Sequence, residues 1–260
     1  MWKLIARLGL MACLGVTAAP ALAAKAESVD YRQGDTLLEG YVAYPEQGGK
    51  HPAVLIVHDW TGVGDYVKGR ARQLADLGYV AFAVDVYGKG VRPADGPEAG
   101  RVSAIYKNDR ALLRARLKSG YDWLMQQPQV DTHRIAAMGY CFGGLAALEL
   151  ARSGAPIVGT VSFHGELSNP KPDDARNIKG KVLVLHGALD PFVKAEQVAA
   201  FQSEMNAAGV DYQFITYSGA VHSFTKPAAG NDISKGQAYN ATADRRSFEA
   251  MKTFLHEVMQ

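Results

Sequence analysis

At 260 residues, 48% hydrophobic and 21% charged, the chain has material for one large buried core and the composition of an ordinary globular protein. A formal net charge of +2, with both signs interspersed, concentrates no positive field for a nucleic acid or an anionic membrane, so polymer binding is not expected.

Residues 1–23 read as a secretory signal peptide. Lys3 and Arg7 precede an apolar run over residues 8–19, and Ala21-Leu22-Ala23 forms a small-residue cleavage site. The run falls short of the ~20 residues that a spanning helix needs, so a membrane anchor is not expected. Lipidation at Cys13 is not expected either, because too few residues separate Arg7 from Cys13 to form an apolar segment. The expectation is secretion, most simply into a bacterial periplasm, and one domain over residues 24–260 with no membrane contact once the signal is removed. Loss of Cys13 leaves Cys141 as the single cysteine of the mature protein. An unpaired thiol in an oxidising compartment is a liability unless it is buried or used.

The mature chain opens with two apolar stretches, residues 29–33 and 37–44, around Gly34-Asp35, which predicts an antiparallel hairpin. A loop to Pro52 leads into residues 53–58, a continuous apolar run of the kind that forms a strand buried on both faces of a parallel sheet. Asp65 is placed to cap a helix carrying Val67, Ala71, Leu74 and Leu77 on one face, with Gly78 as its stop. Residues 79–84 are the next buried strand, completing a strand–helix–strand crossover. Residues 85–100, with four glycines and two prolines, read as a long surface excursion, and residues 108–127 as a helix. Further strands are expected at 135–138, 157–163, 182–186 and 212–217. Helices are expected from Leu145 to Gly154, over 194–208 with Gly209 as the stop, and over 238–258. Alternating strands and helices after a hairpin indicate an α/β fold: an open, mostly parallel sheet with helices on both faces. Ligands in such sheets bind at the carboxyl ends of the strands. Asp59, Cys141, Asp190 and His222 all fall at those ends.

Gly139-Tyr140-Cys141-Phe142-Gly143 stands where a strand becomes a helix and has the form of a nucleophile elbow, with Cys at the centre where Ser is more usual. Glycines two residues either side of the nucleophile keep side chains out of a tight turn. The helix start favours a thiolate and can bind an oxyanion. A thiol with pKa near ~8.5 is only a few per cent ionised at neutral pH and needs a base, for which His222 is the candidate. Asp190 would accept the second imidazole N–H and fix the tautomer. The order Cys, Asp, His along the chain is that of the α/β-hydrolases.

The sequence resembles the dienelactone hydrolase family over nearly the whole mature chain. The resemblance is carried by Val57-His58-Asp59-Trp60-Thr61-Gly62, Asp85-Val86-Tyr87, Gly139-Tyr140-Cys141-Phe142-Gly143-Gly144, His186-Gly187-Ala188-Leu189-Asp190-Pro191 and His222-Ser223-Phe224. It implies the α/β-hydrolase fold and cleavage of a small-molecule ester or lactone without cofactor or metal. It also implies a Cys141, Asp190, His222 triad, with the backbone N–H groups of Trp60 and Phe142 as oxyanion donors. Asp59 stands where the family's type enzyme has a glutamate that helps deprotonate the thiol, and is one methylene shorter. Lys89 and Lys226 stand where that enzyme holds a substrate carboxylate with two arginines; lysine keeps the charge but loses the bidentate fork. A monomer is the expectation for the assembly.

Two other readings compete. A metal-dependent hydrolase would use His58, His164, His186 and His222 near strand ends, although no His-x-His or His-Glu-x-x-His spacing is present. A non-catalytic periplasmic small-ligand-binding protein could use the same fold, because fold alone does not fix function.

Overall fold

The computed structural model describes residues 25–260; the expected signal peptide and Cys13 lie outside them. Eight strands form a single sheet in the order β1-β2-β4-β3-β5-β6-β7-β8. β1 (Ala26–Gln33) and β2 (Thr36–Ala43) make the expected antiparallel hairpin, with Gln33 opposite Thr36 across Gly34-Asp35. β2 pairs antiparallel with β4 (Val80–Val84). From there β3 (His51–Val57), β5 (Val130–Tyr140), β6 (Gly159–Phe163), β7 (Lys181–Gly187) and β8 (Tyr212–Tyr217) continue in parallel. Every residue from Ala53 to Val57 and from Val80 to Val84 is fully buried, because helices cover both faces of the sheet.

On one face, α1 (Asp65–Asp76) and α6 (Ala241–Val258) lay Val67, Leu74, Met251 and Phe254 against the sheet. On the other, α3 (Arg110–Met125) and α4 (Phe142–Arg152) do the same with Leu113, Leu117, Ala147 and Leu150. α5 (Ala195–Ala208) closes a third apolar cluster beside β7 through Phe201 and Met205 and ends, as expected, on Gly209 in a left-handed conformation.

Two local expectations are corrected. Asp65 is the first helical residue of α1 rather than its cap; Gly64 takes the cap position, and Asp65 instead places negative charge in the first turn, where the helix dipole favours it. The excursion after β4 is also shorter than expected. α2 (Gly96–Asn108) begins inside it, with Asp95 accepting from the Glu98 N–H and Pro97 in the first turn. Asp109 then ends α2 and caps α3, the helix expected over 108–127, by accepting from the Leu112 N–H. The carboxyl ends of β3, β5, β7 and β8 meet at one edge, and the candidate site is there.

Candidate active site

The junction of β5 and α4 presents Cys141. Its backbone has φ 57° and ψ −117°, a conformation that costs an L residue ~1–3 kcal/mol. The strain is held by bonds on either side: the Cys141 N–H donates to the Phe163 carbonyl at 3.0 Å, and its own carbonyl accepts from the Gly144 N–H at 3.0 Å. Glycine is required two residues away in both directions. A Cβ on Gly139 would overlap the Gly143 carbonyl, and one on Gly143 would overlap the Val57 carbonyl at the end of β3. The elbow therefore packs backbone against backbone, and the thiol is left half-buried at the sheet edge.

His222 stands on the loop after β8 and lines the larger cavity together with Cys141. Its Nδ1 lies 2.8 Å from Asp190 Oδ2, just past the end of β7. Asp190 Oδ1 accepts from the Phe192 N–H at 2.9 Å, so the carboxylate is fixed on both oxygens. The loop holding His222 is clamped by main-chain bonds: its N–H donates to Gly236, and its carbonyl accepts from Ala238. The ring edge-packs on Phe192 at 5.3 Å and on His164 at 5.2 Å. Burial alone would lower the pKa of His222, but the Cys141 thiolate and the Asp190 carboxylate outweigh it and push it up to about 10. At neutral pH His222 is therefore protonated, between the Cys141 sulfur and the Asp190 carboxyl group.

Two N–H groups face the same region. Phe142 is the first residue of α4, so its N–H has no acceptor within the helix. The Trp60 N–H, in the turn after β3, finds no acceptor among the described residues, although its carbonyl accepts from the Tyr87 hydroxyl at 3.1 Å. Two cavities open from Cys141. The larger, of about 440 Å³, has walls of Trp60, Phe142, Phe192 and Val193 and carries Lys107 and Glu166. The smaller, of about 130 Å³, is lined by Tyr66, Tyr140 and His164 and carries Asp59 and Lys226.

The dienelactone hydrolase family model matches residues 38–259. The chain belongs to the dienelactone hydrolase family. It is 42% identical to a solved structure named m3DLH, covering 92% of this chain and 100% of that one, with a TM-score of 0.88. A dienelactone hydrolase-like promiscuous phosphotriesterase from metagenomic libraries is similar at 41% identity, with the same coverage and TM-score. A protein of Yersinia pestis provisionally named carboxymethylenebutenolidase is 29% identical over 207 residues, spanning 74% of this chain and 75% of its own. As a member of the family, this chain is a hydrolase of ester bonds.

In this family member, two expected roles meet a different geometry. Lys89 does not reach the site: its Nζ lies 2.7 Å from Asp30 Oδ2 on β1 and 3.6 Å from Glu39 on β2, and it lines neither cavity. The turn after β4 carries it toward the hairpin, where its N–H bonds to the Leu37 carbonyl. Asp59 and Lys226 do line the smaller cavity, but they are ion-paired with each other. The second oxygen of Asp59 accepts from the Thr61 N–H at 2.8 Å and from the Thr61 hydroxyl. Burial would raise the pKa of Asp59, but the Lys226 ammonium and the Thr61 donors hold it below the ordinary carboxylate value.

The other strand-end histidines have structural partners or apolar surroundings. His58 is buried with Nδ1 2.6 Å from the Asp59 carbonyl, and its Nε2 accepts from the Val86 N–H, while burial keeps it neutral. His164 Nε2 lies 2.7 Å from Thr225 Oγ1, and burial and then the neighbouring His222 charge keep that ring neutral. His186 is buried against Phe214. Among the described residues no group of three or more His, Cys, Asp or Glu side chains is placed to hold a metal ion. The sequence did not point to Ser103, Lys107, Glu166, Phe192 and Gln197 of the larger cavity, whereas Gln237 lies in the segment from Phe224 to Tyr239 expected to shape the pocket. Ser103 and Lys107 were legible as an i, i+4 pair on one helical face only if α2 had been read as a helix.

Proposed function

We propose that this protein cleaves a carboxylic ester or lactone with Cys141 as nucleophile, through an acyl-enzyme. The observation that carries this is the continuous chain from Cys141 through His222 to Asp190, set beneath two free backbone N–H groups. With the thiol proton already on His222, the Cys141 Sγ attacks the carbonyl carbon. The resulting oxyanion lies between the Trp60 and Phe142 N–H groups. As the C–O bond breaks, the His222 imidazolium gives its proton to the departing oxygen. Water then adds to the thioester with its proton passing to His222, the C–S bond breaks, and the thiolate is restored beside the imidazolium. Asp190 holds the tautomer throughout and stays ionised.

Residues 1–23 act in this reading as a signal peptide that delivers the enzyme to a periplasm as a mature chain starting at Ala24. A second substrate class is favoured by the 41% identical relative described as a promiscuous phosphotriesterase. The same thiolate and N–H pair can meet a neutral phosphotriester, with a slower side reaction on a dialkyl aryl phosphate as the expected outcome.

The test uses a short-chain 4-nitrophenyl ester. Cys141→Ala should lose kcat/KM by a factor on the order of 10³ or more while its circular dichroism matches wild type. Acid-quenched wild type should show the acyl mass on the peptide containing Cys141. Retained turnover in the folded variant would overturn the reading, and failure of Cys141 to acylate with any ester would favour the non-catalytic binding alternative.

A further inference from the structure

Each cavity beside Cys141 has one lysine and one carboxylate on its wall, and in each the two are bonded to one another. In the larger cavity, Lys107 on α2 reaches Glu166, on the loop after β6, at 2.6 Å. The other Glu166 oxygen accepts from Ser168 Oγ at 2.7 Å, and that serine in turn accepts from Arg110 at 3.1 Å. In the smaller cavity, Lys226 is taken by Asp59. Burial would raise the pKa of Glu166, but Lys107 and Ser168 hold it below its ordinary value, so the pair is ionised and internally neutral. The rest of the larger cavity sets the apolar Trp60, Phe142, Val193 and Phe192, the last 59% exposed, beside uncharged polar groups of Ser103, Gln197 and Gln237.

We propose that Lys107 and Glu166 are specificity-determining residues that neutralise the larger cavity, so that the enzyme selects uncharged esters with an apolar body and rejects those carrying a free carboxylate. The proposal rests on the hydrolytic reading of the site and adds its substrate class. A carboxylate entering the cavity must displace Glu166 from Lys107 or lie beside it as a like charge, after shedding its own water. An uncharged chain meets neither penalty. Discrimination therefore comes from a built-in repulsive group as much as from the aromatic walls.

The test compares the 4-nitrophenyl esters of adipic acid and of its monomethyl ester, which differ only in whether the distal carboxyl is free and charged or methylated and neutral. Wild type should prefer the neutral ester in kcat/KM by roughly tenfold or more, the scale of a hydrogen bond to a charged group. Glu166→Gln frees Lys107 and should move the ratio toward the acid by roughly tenfold. Lys107→Met leaves Glu166 uncompensated and should move it further toward the neutral ester. In Cys141→Ala protein, calorimetric titration with the corresponding anilides, which cannot turn over, should show the same order of affinities. A wild type that prefers the acid, a ratio unmoved by Glu166→Gln, or equal binding of the two anilides overturns the proposal. Loss of turnover on both esters with the anilide preference intact refutes the hydrolytic reading and leaves this selectivity standing.

Discussion

At Cys141 a single residue carries the strain of the elbow and, in the proposed reaction, the nucleophile, and the two can be separated by substitution. Its φ of 57° and ψ of −117° suit glycine and penalise any side chain. Glycine is ordinarily the less stable of Gly and Ala, because it loses more backbone freedom on folding. Here Cys141→Gly should be more stable than Cys141→Ala by about 1 kcal/mol, since relief of strain exceeds the entropy loss; matched urea melts of the two inactive proteins measure it. His222 carries the pH dependence. Its pKa is raised from the ordinary 6.5 to about 10, so its contribution to stability is fully present below pH 6.5 and is lost as pH rises through 10. Wild type should therefore lose stability across that window, and His222→Gln should have a flatter profile there. Because the Cys141 charge is the largest favourable cause of the shift, Cys141→Ala should flatten the profile partway.

Between elements, the elbow is held by packing on one side and by ion pairs on the other. Gly143 lies against the Val57 and His58 carbonyls of the β3 end, so Gly143→Ala must push α4 away from the sheet. A loss of about 3 kcal/mol is expected, read as a lower urea midpoint, together with loss of turnover because the Phe142 N–H moves with the helix. Further along α4, Arg152 is fully buried; it bonds Glu149 on its own helix at 3.2 Å and Glu204 on α5 at 2.9 Å. Glu149 also bonds Arg114 on α3 at 2.8 Å, and Arg114 bonds Asp174 at 2.7 Å. This network fastens α3, α4 and α5 behind the nucleophile. Arg152→Met leaves the buried Glu204 without its cation, while Glu149 keeps Arg114, and should cost about 3 kcal/mol, seen in the same melts. The regular elements were legible because each has its own period or stop: the all-apolar β3 and β4, the amphipathic α6, Gly209 after α5. α2 was obscured by a cluster of Gly and Pro, although Asp95 and Glu98 form a start signal of the right spacing.

Over the whole molecule, the sheet order gathers the strand ends at Val57, Tyr140, Gly187 and Tyr217 onto one edge, and the two cavities form where β3, β5 and β7 end. Turnover should be unchanged after exhaustive dialysis against a chelator, since the proposed chemistry uses thiol, imidazole and backbone donors alone; activity restored only by added metal would revive the metal-dependent alternative. The sequence by itself determined the hairpin, the parallel sheet and the elbow turn, and placed Cys141, Asp190 and His222 at the carboxyl ends of strands. These follow from local rules: periodicity, glycine placement and the order of residues at strand ends. The tertiary structure decided which charges are spent on each other. Lys89 pairs with Asp30, Lys226 with Asp59, and Lys107 with Glu166, each across 59 or more residues of chain. A formal charge is a property of one residue and is visible in a sequence. Whether that charge faces a substrate depends on which opposite charge folding brings within about 4 Å, and that is a property of the fold.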